Sequence, residues 1–253
     1  MKSRQDAYGQ ALYDFYNGKG GYEIAERDDG YLGVSGGSKE YFQDYKEWPA
    51  HQKRAIKYAK GRVLDIGCGA GRHSLYLQNK GMDVLGIDMS PLAIRVCKLR
   101  GLRQAKVLPI TKVSSKLGRF DTVLMMGNNF GLFGNMRRAR WLLRRFHTIT
   151  HDGSLIIVES NDPYQTTVRC HLRYHKLNRK RNRMSGQLRI RIRYLTYATP
   201  WFDYLLVSKE EMERIVRGTG WRIDRFFDSD GSMYAALIGK EPGATDRRMP
   251  ART

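Results

Sequence analysis

The sequence predicts a doubly wound α/β fold on a mostly parallel sheet, and three observations predict it. Apolar runs rich in Val, Ile, Leu and Met alternate with helix-like segments from about residue 60 onward. One run ends in a cluster of glycines that leads straight into a helix-forming stretch. The last two runs flank a tight-turn signal and read as an antiparallel hairpin that closes the sheet.

Taken in order, the strand candidates are 62–66, 83–87, 105–110, 120–126 and 154–160, with helices expected over 71–80, 91–100 and 135–150. Gly81 and Gly101 stand where helix C-caps belong. Ser208 caps a helix over 209–220, and strands 221–228 and 232–240 join through Asp228-Ser229-Asp230-Gly231. In the first sixty residues, 7–16 reads as a helix, and 22–27 with 31–34 as a hairpin turning on Asp28-Asp29-Gly30. Pro49 opens a further helix to about Lys60. The domain reading is a lid or cap over 1–60 and a core over 61–241 that carries a basic insert at about 163–207. The remainder, 242–253, has the composition of a disordered tail.

Forty-five Lys and Arg against 25 Asp and Glu give a formal charge of +20 in 253 residues. A chain of this length with 41% hydrophobic and 11% aromatic residues can bury a real core, which excludes dominant disorder and a disulfide- or metal-stapled miniprotein. Cys68, Cys97 and Cys170 are odd in number and far apart, so they read as reduced thiols. The charged N-terminus lacks the apolar run of a secretory signal, and no stretch is apolar enough to span a bilayer. The expectation is a cytoplasmic protein whose charge concerns partners rather than fold.

The most informative stretch is Val63-Leu64-Asp65-Ile66-Gly67-Cys68-Gly69-Ala70-Gly71-Arg72. Glycines are needed where the backbone turns with unusual dihedrals or where a ligand touches the main chain. Their spacing is Gly-x-Gly-x-Gly, not the Gly-x-Gly-x-x-Gly of the dinucleotide fingerprint, which disfavours a hydride-transferring dehydrogenase. Asp65 would repel a pyrophosphate but suits a ligand that carries an ammonium group. Asp88 ends the next strand, 21 residues beyond Gly67, where a carboxylate accepts ribose hydroxyls. A cationic amino-acid headgroup joined to a ribose describes S-adenosylmethionine.

VLDIGCGAGRHSLYL, followed by VLGIDMS and FDTVLMMGNN, resembles the class I S-adenosylmethionine-dependent methyltransferases over roughly 62–240. The resemblance implies their Rossmann-like fold, an α/β doubly wound seven-stranded sheet with an antiparallel C-terminal strand. It also implies S-adenosylmethionine as methyl donor and S-adenosylhomocysteine as product. Asp65 would then lie near the methionine ammonium, through water. Gly67, Cys68, Gly69 and Gly71 would let the cofactor lie against the backbone, and Asp88 would hold the ribose. Met89 would pack on the adenine, with Gly127 and Asn128 on the methionine side. One departure is the absence of an acid in Leu108-Pro109-Ile110-Thr111-Lys112, where the family often recognises the adenine amino group. Either Thr111 or a backbone carbonyl substitutes, or adenine recognition is looser.

Methyl transfer from a sulfonium is an in-line displacement in which positioning alone supplies roughly 7–11 kcal/mol. A dedicated base is needed only for an acceptor protonated at neutral pH, and no catalytic residue is assigned. The proline–aromatic signature of many amino-group methyltransferases is absent from Gly127-Asn128-Asn129-Phe130-Gly131. Asn129, Asp162 and Tyr164 follow strands whose carboxyl ends face a ligand crevice, and they are the acceptor-side candidates. Asp162-Pro163 reads first as a turn.

The insert contains forty residues, 163–202, with ten Lys or Arg and no acid. Within it Leu188-Arg189-Ile190-Arg191-Ile192-Arg193-Tyr194 alternates as a strand with one apolar face and one arginine face, and a strand over 201–207 is its expected partner. Such a ladder can grip phosphates, with His171, Tyr174, Tyr194 and Tyr197 stacking on bases. RNA is therefore the alternative acceptor, behind a small molecule. A non-catalytic nucleic-acid-binding protein on the same fold is a further reading, opposed by the intact glycine loop and Asp88. His171/His175 and His147/His151 have helical metal-ligand spacing without the Glu of a His-Glu-x-x-His site, so no metal is expected. His73 reads as shaping the helix N-terminus. Tyr41, Phe42, Tyr45 and Trp48 read as core, with a lid over the cofactor as second reading.

Overall fold

The structure, a computed structural model, describes residues 3–241. The tail expected over 242–253 lies outside the described residues. Seven strands form the main sheet: β3 (Arg62–Ile66), β4 (Asp83–Asp88), β5 (Gln104–Val107), β6 (Phe120–Met125), β7 (Thr150–Asn161), β11 (Trp221–Asp228) and β12 (Met233–Lys240). Their order is β11-β12-β7-β6-β3-β4-β5, with β12 antiparallel to both β7 and β11 and the remaining pairs parallel. Chain order runs outward from β3 through β4 to β5, then crosses back to β6. The carboxyl end of β3 is thus a topological switch point, where open α/β sheets bind ligands.

The sheet is sandwiched by α2 (Ala50–Ile56), α3 (Arg72–Asn79), α4 (Pro91–Leu99), α5 (Met136–Thr148) and α7 (Lys209–Val216). In α5 the Asn135 side chain accepts from the Arg138 N–H as an N-cap, and Ala139, Leu142, Leu143 and Phe146 face the core. Its arginines lie on the other stripe. Trp221, wholly buried, donates its indole N–H to the Leu143 carbonyl at 2.8 Å and joins α5 to the edge strand.

Three of the boundaries that differ from expectation have a plain local reason. β5 stops at Val107, since Pro109 has no N–H to donate to the ladder. β7 begins at Thr150 rather than 154, because the register shift against β6 takes up His151, Asp152 and Gly153. α7 ends at Val216, ahead of Gly218 and Gly220, both at positive φ.

A second sheet unites the two ends of the chain. β1 (Ile24–Arg27) and β2 (Leu32–Val34) form the expected hairpin. β8 (Gln187–Tyr194), β9 (Tyr197–Ala198) and β10 (Phe202–Leu205) come from the basic insert. The order is β10-β8-β1-β2, with β9 beside β8. Between these groups, α6 (Arg169–Lys180) donates the Tyr174 hydroxyl to Asp28 at 2.6 Å, so the hairpin turn anchors the insert.

The arginine ladder is matched by acids across the strands. Arg191 and Arg193 both reach Glu26, while Arg183 and Arg189 reach Asp203. Glu26 stands opposite Arg191, and Asp203 opposite Arg189, in the strand registers.

The N-terminal helix α1 (Ala7–Tyr16) packs on α4 through Leu12, Ala93 and Val96. Asp6 caps it by accepting from Gly9 N and ties it to α4 by accepting from Leu92 N at 3.0 Å. A Cβ on Gly9 would lie 2.1 Å from Ser90 Oγ, so glycine is what lets the two helices meet there. Ala7 and Ala11 also pack with Tyr194 of β8, which joins α1 to the second sheet. Among the described residues no helix is long and apolar enough to cross a membrane.

Candidate active site

The chain leaves β3 at Ile66 and turns through Gly67 and Gly69, at φ +73° and +55°. The Gly67 and Cys68 N–H groups both donate to the Ile87 carbonyl, which seats the loop on β4. Asn129 donates its amide to the Ile66 and Gly67 carbonyls at 3.0 and 2.9 Å and pins the loop from the β6 side. A Cβ on Gly67 would lie 2.7 Å from that same amide, and one on Gly69 2.6 Å from the Tyr8 hydroxyl. The glycines therefore serve both the turn and a close approach from outside the loop.

Asp88, at the end of β4, accepts from Gly69 N at 3.1 Å and from Ser90 N at 2.9 Å. Burial pushes its carboxyl up to about 6, against those two hydrogen bonds. Asp65 is buried one loop away and accepts from Ser74 Oγ at 2.6 Å. Its carboxyl rises to about 7, chiefly through burial and further through the charge of Asp88. Two buried carboxyls held near neutrality fit a ligand that brings positive charge and hydrogen-bond donors.

Glu159, near the end of β7, is a third buried carboxyl and was not foreseen. It accepts from Gly127 N at 2.5 Å, Asn128 N at 3.2 Å, His51 Nε2 at 2.6 Å and Gln52 Nε2 at 2.9 Å. Burial alone would raise it, but these partners outweigh burial and hold it below its ordinary range. It fixes the turn after β6, where Gly127 and Asn128 both take positive φ. The signal for it was present: one acid inside the apolar run Leu155-Ile156-Ile157-Val158-Glu159. Asn128 Oδ1 is buried with no hydrogen-bond partner, an open acceptor beside the glycine loop.

A layer of tyrosines covers this floor. Tyr8 of α1 and Tyr41 meet edge to face at 5.2 Å, and burial raises both hydroxyls well above their ordinary values. Tyr204 of β10 packs over Gly131 and donates to the Asn128 carbonyl at 2.6 Å. Tyr41 donates to Glu23 at 2.9 Å. Arg72 bonds to the Glu40 carbonyl, Gln43 and Gln52, with its guanidinium over Trp48. Of the expected aromatic cluster, Trp48 packs on His73 and Tyr76, while Tyr41 turns toward the glycine loop. His73 is buried and, mainly for that reason, far less basic than a free imidazole.

Asp65, Gly67, Cys68, Gly69, Asp88 and Asn129 thus converge, with Gly127 and Asn128 beside them through Glu159. Gly71 sits behind the loop as the left-handed N-cap of α3. Met89 follows Asp88 and is exposed. Asp162 and Tyr164 stand in a turn after β7: Asp162 accepts from Tyr164 N, and the Tyr164 hydroxyl donates to Glu211 of α7 at 2.7 Å. Asn129 spends its amide on the glycine loop. Among the described residues no group of three or more His, Cys, Asp or Glu is placed to hold a metal ion.

A family model described as a methyltransferase domain matches residues 63–153. The ubiquinone/menaquinone biosynthesis C-methyltransferase UbiE of Geotalea uraniireducens is 24% identical over 210 residues, covering 78% of this chain and 86% of that protein. A glycine/sarcosine N-methyltransferase of Parasynechococcus marenigrum is 29% identical over 145 residues, and the match spans about half of each chain, 49% and 51%. Among solved structures, a methyltransferase from Bacteroides fragilis in complex with S-adenosyl-L-homocysteine superposes with a TM-score of 0.81. It is 23% identical and covers 96% of this chain and 98% of that one. The matched domain, the seven-stranded order and the shared fold agree: residues 63–153 carry a methyltransferase domain, and the chain has the fold of the S-adenosyl-L-homocysteine-bound methyltransferase.

Proposed function

We propose that the chain transfers a methyl group from S-adenosylmethionine to a small-molecule acceptor held between the glycine loop and the tyrosine cover. The observation that carries this reading is the covered carboxyl end of the main sheet. Tyr8 stands against Gly69, Tyr204 stands on Asn128, and α1 and the second sheet lie above them. A carboxyl end covered this closely suits an acceptor of metabolite size.

The residues fit the donor. Asp88 would accept the ribose hydroxyls, and Asp65, through water, the methionine ammonium. Asn128 Oδ1 offers that ammonium a further acceptor, and Gly67, Cys68, Gly69 and Gly71 supply backbone. Gly127 lines the methionine side, and Met89 lies where adenine would rest. When bound, the donor supplies an activated methyl on a sulfonium. The chain's part is to align the acceptor with it and exclude water, which is where positioning contributes.

Two relatives are named as a C-methyltransferase of ubiquinone/menaquinone biosynthesis and a glycine/sarcosine N-methyltransferase. Both names point to metabolites, which supports a small-molecule acceptor. The RNA reading loses its main support because all three ladder arginines, and Arg183 beside them, are engaged by Glu26 and Asp203. Asn129 is better read as a positioning residue for the loop, and Asp162 and Tyr164 as structural. The lid assigned to residues 1–60 becomes, in this reading, a cover shared with the insert.

The test is transfer of radiolabelled methyl into a host-cell extract with and without ribonuclease. Label in the small-metabolite fraction, indifferent to ribonuclease, is expected. Label in RNA that ribonuclease abolishes would overturn the small-molecule reading.

A further inference from the structure

Glu23 precedes β1 and is 3% exposed, and Tyr41 stands between it and the glycine loop. Its Oε1 accepts from the Tyr41 hydroxyl at 2.9 Å, whereas its Oε2 is buried with no hydrogen-bond partner. The other buried carboxyls beside the loop are occupied differently: Glu159 takes four donors, Asp88 two backbone N–H groups, and Asp65 a serine hydroxyl. Among the described residues, Glu23 Oε2 is the one buried carboxyl oxygen left open. No ion pair to Glu23 is found among them either. An open acceptor kept from water is costly unless a ligand completes it.

Its position ties it to the proposed methyl donor. Tyr41 sits edge-on against Tyr8, whose hydroxyl would lie 2.6 Å from a Cβ on Gly69. The fields of Glu23 and Asp88 both reach the Tyr8 hydroxyl, and those of Glu23 and Tyr204 both reach Tyr41. Glu23 therefore stands behind Tyr41 on the side of the glycine loop that Tyr8 and Tyr41 cover. Carboxyls and tyrosine hydroxyls surround this side of the loop, a setting that favours a cationic group over an anionic one.

We propose that Glu23 is the acceptor-recognition residue and that the acceptor is a small amine whose N–H completes Glu23 Oε2. This rests on the methyl-transfer reading given above. An amine enters as its ammonium and cannot attack until it loses a proton. Glu23 Oε2 takes that proton and leaves a lone pair on nitrogen. The nitrogen then attacks the methyl carbon, and the carbon–sulfur bond breaks with its electron pair going to sulfur. The products are a methylated ammonium and the thioether S-adenosylhomocysteine, and Glu23 returns its proton to solvent as they leave.

The test uses the full chain, radiolabelled S-adenosylmethionine and matched probes: ethanolamine, benzylamine and glucosamine, beside ethylene glycol, benzyl alcohol and glucose. The small-molecule fraction of a cell extract is run in parallel. Charcoal removes adenine compounds before label is counted on a cation exchanger. Wild type is expected to label amines and cation-retained extract species only. Glu23→Gln is expected to lose at least a hundredfold in kcat/KM, with the S-adenosylhomocysteine Kd, by calorimetry, within threefold of wild type. Glu23→Asp, which keeps the acceptor charge, is expected to recover part of the rate and is read alone if Glu23→Gln does not fold. Label in neutral or anionic products, no label in any amine, or a Glu23→Gln rate within threefold of wild type overturns the proposal. Failure of wild type to bind S-adenosylhomocysteine would instead defeat the methyl-transfer reading itself.

Discussion

Asp65 and Asp88 hold protons at a pH where free aspartates have lost them, because burial penalises their charge. The sign of the linkage follows. An ordinary aspartate titrates at 3.8, and these two rise to about 7 and about 6 in the folded chain. Between those values the native state holds protons that the unfolded state has released. Their contribution to stability is therefore present below about 4 and is lost as pH rises through 6 to 7. A cationic, donor-rich ligand reverses this by favouring the ionised forms. Affinity for S-adenosylmethionine is expected to rise with pH through this window and then level off, with proton release on binding. Calorimetry in buffers of different ionisation enthalpy checks it, and Asp65→Asn should flatten the pH profile. Glu159 makes the opposite case, a buried charge fully partnered. Glu159→Gln puts an amide against four donors and removes a buried, hydrogen-bonded carboxylate, at a cost of about 3 kcal/mol. For a chain of this length that is a fall in Tm of roughly 6–12 °C, read by thermal unfolding.

The seam between α1 and α4 turns on a contact that glycine alone permits. A Cβ at Gly9 meets Ser90 Oγ and the Asp6 carboxyl, and both of those groups cap helices. Gly9→Ala is expected to destabilise by about 1–3 kcal/mol as overpacking, and to weaken cofactor binding by lifting Tyr8 from Gly69. Ser90→Gly in the same chain should recover part of both losses, so a double-mutant cycle is the measurement. Elements with a local signature were legible in sequence: β1 and β2 from Asp28-Asp29-Gly30, and the glycine loop from its spacing and flanking acids. The union of β1 with β8 was not, since 165 residues separate Glu26 from the Arg191 it meets. Nor was the site's roof. Tyr8 and Tyr204 reach the loop by tertiary packing, and no spacing rule in the chain records such a contact.

Across the whole molecule, a net charge of +20 concerns association more than chemistry. In the insert the basic residues Arg181, Arg183, Arg189, Arg191 and Arg193 each have an acid within ion-pair distance, and those acids, Asp28, Glu26 and Asp203, come from both ends of the second sheet. The sequence displays the arginines as one block and scatters their partners, so the block reads as a nucleic-acid clamp until the sheet is assembled. Remaining positive charge is spread over α5 and the surface, where it attracts polyanions without order and is screened within about 8–10 Å in ordinary buffers. Retention of RNA is therefore expected to fall steeply with added salt, by release of condensed counterions. Methyl transfer beneath the tyrosine cover is expected to change by less than about twofold over the same range, because buried charges are screened far less. The two curves are measured together, from 50 to 300 mM salt (about the span over which phosphate contacts lose most of their affinity). The double substitution Glu26→Gln with Asp203→Asn releases the ladder, so it should steepen the RNA curve while the transfer curve stays flat. A transfer rate that instead falls in step with RNA retention would make the polyanion the acceptor and the ladder part of its site.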